Sequence, residues 1–354
     1  MNIKSQLKDY EVIFSENFDF VKELISIPNK LIVVDENVYN LYNESIFNLF
    51  DENDILIINA IESNKNIETA LSICERMTKI SAKRNAYIIS FGGGIIQDIS
   101  GFAANILYRG VRWIFVPTTL LAQTDSCIGS KTSLNYLHFK NLLGTFFPPD
   151  KIFIDTGFLA TLNYRDYCSG LGEIVKFNVM NGSNKYNLLK SKTESLLSRD
   201  YTTVQEFIRS SLDYKAVLIQ QDEFDYDIRL LLNYGHTFGH ALESVSNYDV
   251  PHGQAIAVGM IIANIISEKR GLINAKIREE IQAICFKTIN VTLCQDFFDS
   301  EHFINALKND KKRQGTQIAA ILLKDDLSLI RVFDIEKDEV IAALADLSKI
   351  LCNR

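Results

Sequence analysis

Proline, histidine and tryptophan are scarce in this chain: five, five and one among 354 residues. Four of the prolines (Pro28, Pro117, Pro148, Pro149) fall in the first 150 residues and only Pro251 lies beyond, so the two parts are punctuated differently. None of the six cysteines pairs in a C-x-x-C motif, which excludes a zinc knuckle and offers no disulfide framework. A reduced, cytoplasmic protein is the expectation. There is no lysine or arginine block, and a net charge of −7 speaks against nucleic acid or a membrane surface as partner. The longest uncharged apolar run, AIAVGMIIANII from Ala255, has twelve residues, too few to span a bilayer and suited to a buried helix. The N-terminus lacks the apolar core and small-residue cleavage site of a secretory signal.

What is present divides into two patterns. The chain is too long for one compact core and suits two domains. Residues 1–155 alternate short apolar runs with amphipathic ones. Strands are expected at 11–15, 30–35, 54–59, 86–91, 113–117 and 151–155, with a helical pattern at 67–83. That alternation predicts an α/β domain with a mainly parallel, Rossmann-like sheet. Residues 156–354 turn to helical periods, as at 203–221 and 253–268, with one hairpin near 318–333. The second domain is therefore expected to be mostly α-helical.

Three of the five histidines, His236, His240 and His252, fall within NYGHTFGHALESVSNYDVPH. His236 and His240 stand four apart and would share one helix face, an arrangement that suits a metal or an anion. Carbonyls and carboxylates satisfy such pairs as well, and a metal needs further ligands. In the first domain, AYIISFGGGIIQDISGFAA runs an expected strand through Gly92-Gly93-Gly94 into a helix. Such a junction lets a phosphate approach free backbone N–H groups, or it is simply a tight turn; it is not the G-x-G-x-x-G fingerprint. Thr118, Thr119 and Asp125 follow the next strand end, where ligands of open sheets bind. Among the cations, Lys131 follows Gly129-Ser130, Lys176 lies one helical turn after Glu173, and Arg229 lies four before Asn233. Together they suit a polyanionic, hydroxylated ligand.

These residues carry a resemblance. GGGIIQDISGFAA, YRGVRWIFVPTTLLAQTDSCIGSKTSLN, KNLLGTFFPP, GLGEIVKF, LNYGHTFGHALE and PHGQAIAVGM resemble 3-dehydroquinate synthase, a sugar phosphate cyclase, from about Asp35 to Lys312. The resemblance implies an N-terminal NAD-binding α/β domain, a C-terminal metal-binding helical domain and a homodimer. It implies conversion of 3-deoxy-D-arabino-heptulosonate 7-phosphate to 3-dehydroquinate and phosphate, through transient NAD oxidation, phosphate elimination, reduction and intramolecular aldol closure.

Carried over by motif, Glu173, His236 and His252 would hold one divalent metal, zinc or cobalt. His240 would then contact substrate or move a proton. NAD contacts would be Asp35, Asn37, Glu62, Lys65, Gly93, Gly94, Asp98, Thr118, Thr119 and Thr161. Substrate contacts would be Asp125, Lys131, Lys140, Asn141, Lys176, Lys215, Arg229, Asn233, His240 and Lys312, with Lys311 as the alternative to Lys312. Arg109 would reach the phosphate held by the neighbouring subunit, and Lys176 would stabilise enolate charge.

Departures mark the chain. Ser130 and Ser133 stand for glycines of the usual G-G-K-T-G, Gly172 for an alanine, Gln97 for a small residue and Gln254 for a glutamate. Losing that glutamate removes a possible carboxylate partner of a ligand histidine. The serines leave open a related cyclase acting on another ketose phosphate. Two further alternatives are a metal- and NAD-dependent polyol dehydrogenase and a non-catalytic binding protein that kept the fold. The first would accumulate NADH, and a neutral polyol has no need of the lysines.

Overall fold

The structure, a computed structural model, describes residues 1–80, 85–137, 139–308 and 318–352. They form two compact units, one of Met1–Leu162 with Lys215–Phe224, the other of Asn163–Tyr214 with Asp225–Arg354.

The first unit holds strands β1 (Asn2–Ile3), β2 (Tyr10–Ser15), β3 (Lys30–Asp35), β4 (Ile55–Ile58), β5 (Tyr87–Gly92), β6 (Arg112–Pro117), β7 (Lys131–Tyr136), β8 (Phe139–Phe146) and β9 (Lys151–Asp155). Seven make one sheet in the order β1-β2-β9-β6-β5-β3-β4, parallel throughout except for the β1–β2 edge. Such strands are covered on both faces, which is why β3 reads as a continuous run; Leu31, Ile32, Val33 and Val34 are all fully buried. Aromatic rings lock one face, with Phe20 stacked on Phe153 at 5.3 Å and Phe47 edge-on to Phe91 at 5.2 Å. Each such side chain contributes about 1.5–3 kcal/mol by leaving water. Gly92 of β5 lies level with Pro117 of β6, so the glycine turn and Thr118 leave adjacent strand ends.

The β7–β8 hairpin is absent from the strands expected of the sequence. Thr132 and Leu134 alternate inward, and Thr132 packs against Gly101 of the helix Gly94–Ile106. A threonine carries half of that alternation, so hydropathy shows little of it.

Among the described residues the second unit is mainly helical, with one antiparallel hairpin of β10 (Ile318–Leu323) and β11 (Leu329–Ile335). Its central element is the helix His252–Lys269, buried at every position from Gly253 to Ser267. A helix apolar on all sides is stable only inside other helices. No described helix is long and apolar enough to cross a membrane.

Candidate active site

In the first unit, Gly93 is the extended cap of the helix Gly94–Ile106. A side chain there would press on Thr119 at 3.1 Å, whereas above Gly94 only Ser126 Oγ comes near, at 3.8 Å. The first N–H groups of a thirteen-residue helix, with its positive dipole end, open beside this turn. A single π-turn at Ala122–Ser126 follows β6 and carries Asp125. It is fixed by buried Gln123, whose Nε2 donates to the carbonyls of Pro117 at 3.0 Å and Asp155 at 2.9 Å. Gln97 donates to the carbonyl of Ser126 at 2.6 Å. Lys215 is buried and donates to the Asp125 carbonyl at 2.6 Å, with its Oδ1 at 2.7 Å.

Beside the turn a polar network links residues expected to face NAD with residues expected to face substrate. Lys65, buried, pairs with Asp98 and donates to Asn141 Oδ1 at 2.6 Å. Burial pushes the Asp98 carboxyl up, and the charge of Lys65 opposes the rise. Ser133 Oγ lies 3.0 Å from Asp98 Oδ2 and 2.9 Å from Asn141 Oδ1. Asn135 donates to Glu62 Oε1 at 2.8 Å and accepts from the Asn141 backbone at 2.9 Å, while Lys140 lies 3.6 Å from Glu62. Ser130, the other serine at a glycine position, takes the left-handed backbone a glycine would, φ 63°, and donates to buried Glu223 at 3.4 Å. Asp35 caps the helix that begins at Glu36 by accepting from the Asn37 backbone at 3.1 Å, and burial raises its carboxyl pKa. Thr161 bonds the Tyr42 hydroxyl at 2.8 Å. Lys131 is exposed at the start of β7, and Arg109 is exposed in a left-handed turn at φ 64°. Lys311 and Lys312 lie outside the described residues.

In the second unit, Glu173 and Lys176 sit in the helix Tyr164–Met180, with Nζ–Oε2 at 2.5 Å and both side chains buried. That helix crosses His252–Lys269 in close backbone contact, with the Gly253 N–H donating to Ser169 Oγ at 2.9 Å. A Cβ on Gly172 would lie 2.0 Å from the carbonyl oxygen of Gly253, and one on Gly253 only 1.7 Å from that of Ser169. The departure at Gly172 is therefore required by this crossing. Its effect is to bring Glu173 Oε1 to 3.4 Å from His252 Nε2.

His236 begins the helix His236–Val245, and its Nδ1 lies 3.2 Å from the Tyr234 carbonyl. His252 Nδ1 lies 3.3 Å from Glu243 Oε2. Burial disfavours the His252 charge, but the Glu243 charge and the hydrogen bond with Glu173 outweigh it and push the imidazole up to about 10. Donor atoms of Glu173, His236 and His252 lie within 4.8 Å of one another, as do those of His240, Glu243 and His252. The two helical histidines, first suspects as a joint ligand pair, therefore fall in different groups. One carboxylate and two imidazoles fit a zinc-like ion, with a position left for an exogenous oxygen. Arg229 is buried in the turn Ile228–Asn233, and Asn233 donates to the Leu230 carbonyl at 3.0 Å. Asn233, His236 and His240 line a cleft together with Leu307, Ile318 and Ile321.

Gln254 does not leave His252 bare of a carboxylate. It is spent on the Arg165 carbonyl at 2.9 Å and on Asn290 at 2.8 Å, and Glu243 faces the imidazole instead. Glu243 escaped the reading of the sequence, although it stands three after His240 and seven after His236, on their helix face.

The fold is that of the dehydroquinate synthase-like cyclases. A 2-epi-5-epi-valiolone synthase from Streptomyces hygroscopicus subsp. jinggangensis, with NAD+ and Zn2+ bound, matches at TM-score 0.85 and 26% identity, covering 98% of this chain and 99% of that one. A 2-deoxy-scyllo-inosose synthase complexed with carbaglucose-6-phosphate, NAD+ and Co2+ shares the fold at TM-score 0.86 and 24% identity, covering 98% and 99%. The sequence families described as 3-dehydroquinate synthase N-terminal and C-terminal match residues 55–169 and 170–313. The 3-dehydroquinate synthase of Dictyoglomus thermophilum is 33% identical over 354 residues, 97% of each chain. The chain belongs to the 3-dehydroquinate synthase family.

Proposed function

We propose that this chain converts 3-deoxy-D-arabino-heptulosonate 7-phosphate to 3-dehydroquinate and phosphate, as a cytoplasmic homodimer using NAD and one zinc or cobalt ion. The observation that carries the reading is the meeting of Glu173, His236 and His252 donors beside buried Lys176, in a chain of this family. We assign NAD to the first unit, at Gly93, Gly94, Asp35, Asn37, Glu62, Lys65, Asp98, Thr118, Thr119 and Thr161, and the cation to the second. When bound, NAD would take a hydride from the substrate and later return it, and the cation would polarise a ketone.

The chain's own residues do the rest. Lys176 places an ammonium, excluded from water, where enolate charge develops. Arg229 offers a buried guanidinium to the substrate carboxylate. Asn233 orients substrate hydroxyls, and His240 holds or moves a proton at Nε2, which lies 3.9 Å from Glu243 Oε2. In the first unit Asp125, Lys131, Lys140, Asn141 and Lys215 are assigned to substrate, with Lys312 from outside the described residues. Arg109 is assigned to the phosphate held by the neighbouring subunit. Cation-loaded, NAD-loaded protein is expected to release phosphate from the heptulosonate phosphate with no net NADH. Steady NADH with glycerol-like substrates would instead favour a polyol dehydrogenase, and no turnover of any sugar phosphate a binding protein.

A second reading, a cyclase for another ketose phosphate, rests on Ser133, whose hydroxyl sits between Asp98 and Asn141. A panel of sugar phosphates separates the two by kcat/KM.

A further inference from the structure

His252 is the first residue of its helix, after Pro251, so no preceding turn of that helix braces the ring. What braces it is charge on both edges, Glu173 Oε1 at 3.4 Å from Nε2 and Glu243 Oε2 at 3.3 Å from Nδ1. The neutral imidazole that a cation requires carries one N–H, and the edge that keeps it cannot also present a lone pair. If the proton resides on Nε2, it satisfies Glu173 directly and closes that side to a cation. If it resides on Nδ1, it satisfies Glu243 and the Nε2 lone pair faces Glu173.

From this arrangement we infer that Glu243 is a positioning residue, which holds the His252 N–H on Nδ1 and so turns Nε2 into a donor. The inference rests on the reading of Glu173, His236 and His252 as the cation site. Three observations converge on it. His236 shows the same design, its Nδ1 held by the Tyr234 carbonyl at 3.2 Å, so both imidazoles are anchored at one edge. Glu173 is fully buried, so the ligand carboxylate is shielded from water, whereas 13% of the Glu243 side chain is exposed. The residue that would otherwise serve, Gln254, is committed to Arg165 and Asn290. The group of His240, Glu243 and His252 is then the support of the site and not a second one: a cation in each group would need His252 to give up both nitrogens.

The test is Co2+ binding to the full-length protein, by chelator competition, together with the visible absorption of the bound ion. Glu243→Gln is expected to weaken Co2+ binding about 10–100-fold while the absorption bands keep their positions, because the ligand set is unchanged. Glu243→Asp is expected to recover part of the loss, and it carries the measurement should the glutamine variant not fold by circular dichroism. Glu173→Gln is expected to shift the bands as well as weaken binding. Unaltered affinity in Glu243→Gln would overturn the positioning role, and bands that move as in Glu173→Gln would make Glu243 a ligand and overturn it equally. A wild-type protein that takes up no stoichiometric Co2+ would sink the cation site itself, a result distinct from both.

Discussion

Around the glycine turn of the first unit, charged side chains from helices, turns and a hairpin answer one another: Lys65 meets Asp98, Lys215 meets Asp125, and Lys140 approaches Glu62. Around His252 of the second unit, two carboxylates converge with three imidazoles and one ammonium, all carried on three helices. The first arrangement is neutralised in pairs, cation against carboxylate. The second is held by backbone packing and leaves its groups aimed before anything binds, the kind of preorganisation that electrostatic catalysis requires.

Lys176→Ala tests that contrast hardest. It is expected to cut phosphate release about 10²–10³-fold with bound metal and NAD retained, read by elemental analysis and absorbance. Unchanged turnover would remove Lys176 from the chemistry. Gly253→Ala attacks the packing itself. The new methyl would meet the Ser169 carbonyl at 1.7 Å, so the helices must part; a loss of about 3 kcal/mol in urea unfolding is expected, together with weaker metal binding. Stability loss with intact metal affinity would show that the crossing and the donors are uncoupled.

In the first unit, Asp98→Asn keeps the shape and removes the counter-charge of Lys65. A loss of about 1.5–2 kcal/mol is expected, with NAD affinity falling in a fluorescence titration. The smallest effect lies away from both regions. Arg270 binds Glu339 at 2.6 Å and holds that carboxyl below its ordinary 4.5. A depressed acid adds stability above its unfolded pKa and loses it as pH falls through the lower folded value. Arg270→Ala is therefore expected to cost about 0.5–1 kcal/mol at pH 7 and almost nothing well below pH 4, measured by urea unfolding at both.

Legibility followed range. The strand β3 and the buried helix after His252 could be read directly, because β-branched runs and an unbroken apolar stretch are local. The hairpin Lys131–Phe146 could not, since its inward alternation depends on Thr132 finding Gly101. The spacing of His236 and His240 suggested that those two act together. That neighbour relation holds, with ring centres 5.3 Å apart, yet their grouping is decided by His252 arriving from another helix. Glu243 was hidden for the same reason: its position on the helix face was visible, and its partner was not. Gly172 and Gln254 stood out as departures from the motif, and the crossing and Asn290 give them a purpose.

That crossing makes the thickness of two polypeptide backbones the ruler for the distance from Glu173 to His252. The Ser169 hydroxyl, accepting from the Gly253 N–H at 2.9 Å, ties the two backbones together. Laboratory evolution toward a cation of different radius must therefore change the reach of the donors themselves, for instance by exchanging glutamate for aspartate, because the helix spacing offers nothing to adjust.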